Sequence, residues 1–262
     1  MKLKNKFKQL KKENRKAFIA YIPFGFPKLS YTKDIILTLQ DSAVDIIELG
    51  IPFSDPLADG PIIQQANLKA LNAGANIEKL ISMLSKIKKS LKVPIVIMTY
   101  YNPLFRFGLD KFFRKMSHLG VSGITIVDLP IEESRLYIKK AKKFNLETVF
   151  FITPTTLLAR AKQIAKASQG FIYYISVTGI TGPKELAYAP VISHVNKLKK
   201  ITNTPICIGF GIHSKKQIKK LNSFSDGVIV GSSIIKFIEK NYSKKDFLNK
   251  LRKYIISLNS AA

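Results

Sequence analysis

A closed (β/α)₈ barrel, one domain over residues 1–262 with an extra helix at its start, is the fold this sequence predicts. Three observations carry that expectation. Eight short runs of apolar and β-branched residues recur along the chain, each is followed by a loop and an amphipathic helix, and 262 residues is the usual length of one such barrel. Parallel strands need a helical crossover, so steady alternation argues for a parallel sheet. An open doubly wound sheet is the competing architecture, but no G-x-G-x-x-G follows the first strand to mark its switch point. With 46% hydrophobic residues the chain can fill a substantial core.

The elements follow in order. Lys2 to Lys12 reads as a basic amphipathic helix, with Leu3, Phe7 and Leu10 at helical spacing, placed to plug one end of the barrel. The strands are then Phe18 to Ile22, Ile46 to Leu49, Ile95 to Thr99, Gly123 to Val127, Thr148 to Ile152, Phe171 to Ile175, Ile206 to Ile208 and Gly227 to Val230. No window holds the roughly 18 consecutive apolar residues of a membrane span. The start is Lys-rich without an apolar signal region, so a cytoplasmic chain is expected.

The net charge of +26 would suit a polyanion binder if the lysines were gathered on one element. Instead they recur in nearly every helix, as at Lys86, Lys88 and Lys89, or Lys215, Lys216, Lys219 and Lys220. That is the pattern of a solvated outer ring. The single Cys207 lies in an apolar run and reads as a core thiol. His118, His194 and His213 show no metal-ligand spacing, so no metal is expected.

In a barrel the loops after the strands converge on one face. The second is the most informative, since an apolar strand carries Glu48 and breaks into a Pro-braced loop that ends at Asp59. A carboxylate in an apolar strand is costly unless it is used or paired. Backbone N–H groups satisfying Glu48 would be the structural explanation, and turn duty suffices for Asp55. Tyr100-Tyr101-Asn102 follows the third strand, Asp128-Leu129-Pro130 the fourth, and a long Gly-punctuated loop from Val177, with the character of a lid, the sixth. Gly209-Phe210-Gly211 and Gly231-Ser232-Ser233 follow the seventh and eighth, where such barrels bind phosphate with backbone N–H groups and a helix start. An apolar mouth would raise the pKa of Glu48, letting it give and take a proton, while a more exposed Asp59 stays ionised. Retro-aldol cleavage and isomerisation both use these parts, and spacing does not choose between them.

Over essentially its whole length the sequence resembles the α subunits of tryptophan synthase. The most specific stretch is Glu48-Leu49-Gly50-Ile51-Pro52-Phe53-Ser54-Asp55-Pro56-Leu57-Ala58-Asp59-Gly60-Pro61. It is supported by Tyr100-Tyr101-Asn102-Pro103, Asp128-Leu129-Pro130, Thr178-Gly179-Ile180-Thr181-Gly182, Gly209-Phe210-Gly211-Ile212 and Gly231-Ser232-Ser233. The resemblance implies a TIM-barrel lyase of tryptophan biosynthesis that cleaves indole-3-glycerol phosphate to indole and glyceraldehyde 3-phosphate. It implies no cofactor in this chain, and a β subunit carrying pyridoxal phosphate as partner in an α2β2 tetramer. Glu48 then matches the general acid/base and Asp59 the carboxylate that holds the indole N–H. Tyr21, Met98, Tyr100, Tyr173 and Phe210 match the substrate pocket. Thr181 matches a lid threonine that closes on Asp59, and Gly182, Gly211, Gly231 and Ser232 match the phosphate contacts. One departure is Gly25-Phe26-Pro27, where the family commonly has Gly-Asp-Pro, so an aromatic replaces a polar group near the rim.

Two rival functions remain open to the sequence. Another phosphate-binding barrel, a phosphosugar isomerase or an indole-glycerol-phosphate synthase, is one, although the latter calls for a Lys at a strand end that is not found. A basic binding module is the other, but it has no use for both Glu48 and Asp59.

Overall fold

Eight parallel strands pair in sequence order and close into a barrel, β1 meeting β8. The computed structural model describes residues 1–176, 188–209 and 211–260. The strands are β1 (Ala17–Pro23), β2 (Ile46–Gly50), β3 (Ile95–Thr99), β4 (Gly123–Ile126), β5 (Glu147–Ile152), β6 (Ile172–Ile175), β7 (Ile206–Gly209) and β8 (Gly227–Val230). Each lies within a residue or two of its predicted run, because a strand buried on both faces is apolar throughout and its limits are visible in composition. No described helix is long and apolar enough to cross a membrane.

Register decides which side chains meet inside. Pairing runs from Tyr21 to Glu48, on to Val96 and then to Gly123. Strand tilt staggers such a barrel by about one residue per strand, so inward side chains of alternate strands gather in layers of four. One layer holds Tyr21, Met98, Phe151 and Gly209 from the odd strands, and the next holds Glu48, Thr125, Tyr173 and Ile229 from the even strands. The rings of Phe151 and Tyr173 pack at 4.8 Å between centroids, joining the two layers. Branched apolar residues usually dominate these positions. Here three of the four in the even layer are polar.

The opposite end is sealed by the N-terminal helix Leu3–Lys12, as its periodicity predicts. Leu3 fills the gap left by two glycines: a Cβ on Gly123 would lie 2.8 Å from Leu3 Cδ1, and one on Gly170 2.5 Å. The ring of Phe7 packs on Phe171 at 5.9 Å. Glu147 at the start of β5 accepts the backbone N–H groups of Leu3 (2.5 Å) and Lys4 (3.2 Å), capping the helix. Function is thereby confined to the other face.

Candidate active site

Glu48 lies one residue further from the end of its strand than the sequence suggests, because β2 continues to Gly50. The side chain points into the barrel and is 0% exposed. Neither carboxylate oxygen has a hydrogen-bond partner among the described residues, so satisfaction by backbone N–H groups is not what holds it there. Burial, and then the charge of Asp59, push its pKa up to about 8. A carboxyl group in that range exchanges a proton readily near neutral pH.

Asp59 departs from expectation. It stands in the loop ahead of helix Pro61–Asn72, but it is only 4% exposed, because Tyr100 and the helix fold over it. The Tyr100 hydroxyl donates to Oδ2 at 3.2 Å, and Asn67 Nδ2 donates to the same oxygen at 3.4 Å. Burial raises its pKa and these two hydrogen bonds lower it, leaving it at about 6. Ionisation at neutral pH therefore survives on specific donors, not on solvent. Asp55 behaves as a turn residue, exposed and bonded to neighbouring Ser54.

The aromatic residues enclose the same space. Tyr21 and Tyr173 are buried, and desolvation, then the charges of Glu48 and Asp59, raise their hydroxyl pKa values well above normal. Glycines make room for them. A Cβ on Gly50 would meet Tyr21 Oη at 2.5 Å, one on Gly231 would meet Tyr21 Cδ1 at 2.9 Å, and one on Gly209 would meet Tyr173 Cε1 at 2.6 Å. Met98 is buried on the inward face of β3. Phe53 covers Tyr100 at 5.2 Å between ring centroids.

At the ends of β7 and β8 the two glycine turns come together. Gly211 has φ +70°, which favours glycine, and open space where a Cβ would project. Gly231 precedes helix Ser232–Asn241, whose first turn presents the N–H groups of Ser232 and Ser233. Ser233 Oγ donates to the Ile212 carbonyl at 3.1 Å and ties one turn to the other. Gly231 thus has a steric role beside Tyr21 as well as a place at the helix start. Thr181, Gly182 and Phe210, with the lid around the first two, lie outside the described residues.

Phe26, expected at the rim, is buried at 2% exposure, with Lys69 Nζ 5.9 Å from its ring centre. Cys207 is buried within β7, as its apolar run predicts.

Sequence reasoning passed over Asn67 and Gln64. Gln64 Nε2 donates to the Asp59 carbonyl at 2.9 Å and so fixes the loop backbone while Asn67 fixes the carboxylate. Their signal was available: two amides at i and i+3 on the helix that follows an acidic loop share one face. Asp128 also has a defined task, accepting the Tyr101 backbone N–H at 2.7 Å and holding the turn that carries Tyr100.

A (β/α)₈ barrel with two buried acids at its mouth and a glycine-lined helix start at the end of β8 defines an enzyme-like barrel suited to proton transfer on a small anionic substrate. The comparisons give the particular family. The chain belongs to the tryptophan synthase alpha chain family, whose model matches residues 7–261. It is 40% identical over 257 residues to the tryptophan synthase alpha chain of Thermoanaerobacter sp. strain X514, covering 98% of each chain. The alpha chain of Carboxydothermus hydrogenoformans is 41% identical over 243 residues, covering 92% of this chain and 91% of that one. Among solved structures, the alpha subunit of Legionella pneumophila strain Paris superposes with a TM-score of 0.91 at 30% identity, covering 99% and 97% of the two chains. A chain of tryptophan synthase from M. tuberculosis in its aminoacrylate-bound form gives 0.88 at 28% identity, covering 99% and 98%.

Proposed function

We propose that Glu48 and Asp59 perform this family's reaction inside the barrel mouth, with residues 1–262 acting as one domain. The chain is a tryptophan synthase alpha chain, a lyase of tryptophan biosynthesis that cleaves indole-3-glycerol phosphate and passes indole to a β subunit. The alpha chain has no cofactor of its own. Pyridoxal phosphate belongs, in this reading, to the β partner, and the assembly is a cytoplasmic α2β2 tetramer.

In this reaction protonated Glu48 delivers a proton to C3 of the indole ring while Asp59 accepts the ring N–H and balances the positive charge that develops there. Glu48, now ionised, removes the proton from the hydroxyl on the side-chain carbon attached to C3. The carbon–carbon bond then breaks, its electrons return to the ring, and glyceraldehyde 3-phosphate leaves as the aldehyde. Glu48 ends in the state in which it began. Tyr21, Met98, Tyr100, Tyr173 and Phe210 line the indole pocket, and Gly182, Gly211, Gly231 and Ser232 hold the phosphate through N–H groups. Thr181 closes the lid against Asp59.

One observation carries this reading: a fully buried carboxyl group with a pKa near 8, without a hydrogen-bond partner among the described residues, faces a second acid held ionised by Tyr100 and Asn67. The experiment is to incubate the purified chain with indole-3-glycerol phosphate and follow indole release, with and without the β subunit. Slow release alone and faster release with the partner is the expected result. No release in either condition contradicts the proposal.

A further inference from the structure

The even layer of the barrel holds a third buried polar atom that the proposed chemistry leaves unused. Thr125 sits on β4 at the layer position beside Glu48, reached from Glu48 through its pairing with Val96 and Gly123 and the stagger of the strands. Its neighbours in sequence, Ile124 and Ile126, are buried on the other face of β4, so the hydroxyl belongs to the interior. Thr125 is 0% exposed, and its Oγ1, like both oxygens of Glu48, is buried without a hydrogen-bond partner among the described residues. Three such atoms in one layer are out of place in a folded protein. A buried hydroxyl or carboxylate normally finds a partner, and one buried water satisfies two to four polar groups at once.

We propose that Thr125 is a positioning residue for Glu48, its hydroxyl holding the carboxylate in place through one buried water shared between them. The inference rests on the acid/base role given to Glu48 above. The other groups that face Glu48 are Tyr21 from β1, Asp59 from the loop after β2, Tyr173 from β6 and Cys207 from β7, with Tyr100 reaching it through Asp59. None is a cation, so the ionised form of Glu48 depends on neutral donors. Tyr21 and Tyr173 are wedged against Gly50 and Gly209, and Thr125 Oγ1 has no hydrogen-bond partner among the described residues. Its hydrogen bond orients the carboxylate toward the reacting carbon and favours the charged form.

The test is Thr125→Val, nearly isosteric but without the hydroxyl, in the complex with the β subunit. Both kcat and KM for indole-3-glycerol phosphate cleavage are followed against pH, with a ¹³C-labelled glutamate titration of Glu48 as a second readout. The expected result is a kcat about tenfold lower, KM within about twofold, and a Glu48 titration about one unit higher. Thr125→Ser restores all three. An unshifted Glu48 titration in Thr125→Val, or a Thr125→Ser variant that fails to restore it, overturns the inference. If the valine variant does not fold, the same comparison between Thr125→Ser and Thr125→Ala decides. Normal turnover in Glu48→Gln overturns the reading beneath it, whereas an inactive Glu48→Gln with an unshifted Thr125→Val overturns this inference alone.

Discussion

Tyr100 and Asp59 share a hydrogen bond of 3.2 Å that fixes both a loop and a charge. The Tyr100 hydroxyl donates to Asp59 Oδ2 and accepts the backbone N–H of Ala58 at 3.1 Å, so one side chain from the end of β3 holds the loop after β2 closed. The donor matters because burial favours the neutral form, and the Asp59 pKa stands at about 6 even with Tyr100 and Asn67 pulling it down.

Tyr100→Phe removes that donor and leaves the ring in place. The Asp59 pKa then rises, and the acid limb of kcat/KM for indole release moves to higher pH. At neutral pH kcat/KM falls about tenfold, the equivalent of one hydrogen bond to a charged group. Steady-state rates from pH 5 to 9 check both effects.

Gly50→Ala places a methyl group 2.5 Å from Tyr21 Oη and 2.9 Å from its Cε2. The ring is enclosed between Gly50 and Gly231, so it has little room to withdraw. Overpacking of this kind costs about 1–3 kcal/mol. Urea unfolding is expected to show that loss, with an activity loss larger than the stability loss explains, because the displaced ring lines the catalytic basin.

Stability should also follow the buried acids. Glu48 and Asp59 have folded pKa values near 8 and 6, above those of an unfolded chain, so the native state binds more protons. Their burial is fully tolerated below about pH 4, and stability is lost as pH rises from there to about 8. Glu48→Gln carries no charge to bury. The difference in unfolding free energy between Glu48→Gln and wild type should grow in favour of the variant over pH 5–8, reaching on the order of a few kcal/mol. Denaturant melts at matched pH values measure it, and a pH-independent difference contradicts the assignment.

Much of this molecule is legible in its sequence. The eight strands stand out because buried parallel strands are apolar on both faces, and Leu3, Phe7 and Leu10 announce a helix with one buried side. Glu48 is visible because a lone carboxylate in such a strand has no structural excuse. Asp59 is legible as a residue but not in its burial, since the cover comes from Tyr100 just after another strand and Asn67 on the next helix. Thr125 is silent for a similar reason. Threonine is common in strands, and only the barrel's stagger brings it beside Glu48.

The most direct measurement is single-turnover indole release by Glu48→Gln in complex with the β subunit, beside binding of an indole-propanol phosphate analogue. Glutamine keeps the shape of the side chain and cannot transfer the proton. Turnover should drop by at least about a thousandfold while the analogue binds within a few-fold of wild type. Wild-type-like turnover would mean that the buried carboxyl group on β2 does not move the proton, and the proposed chemistry would have to be given up.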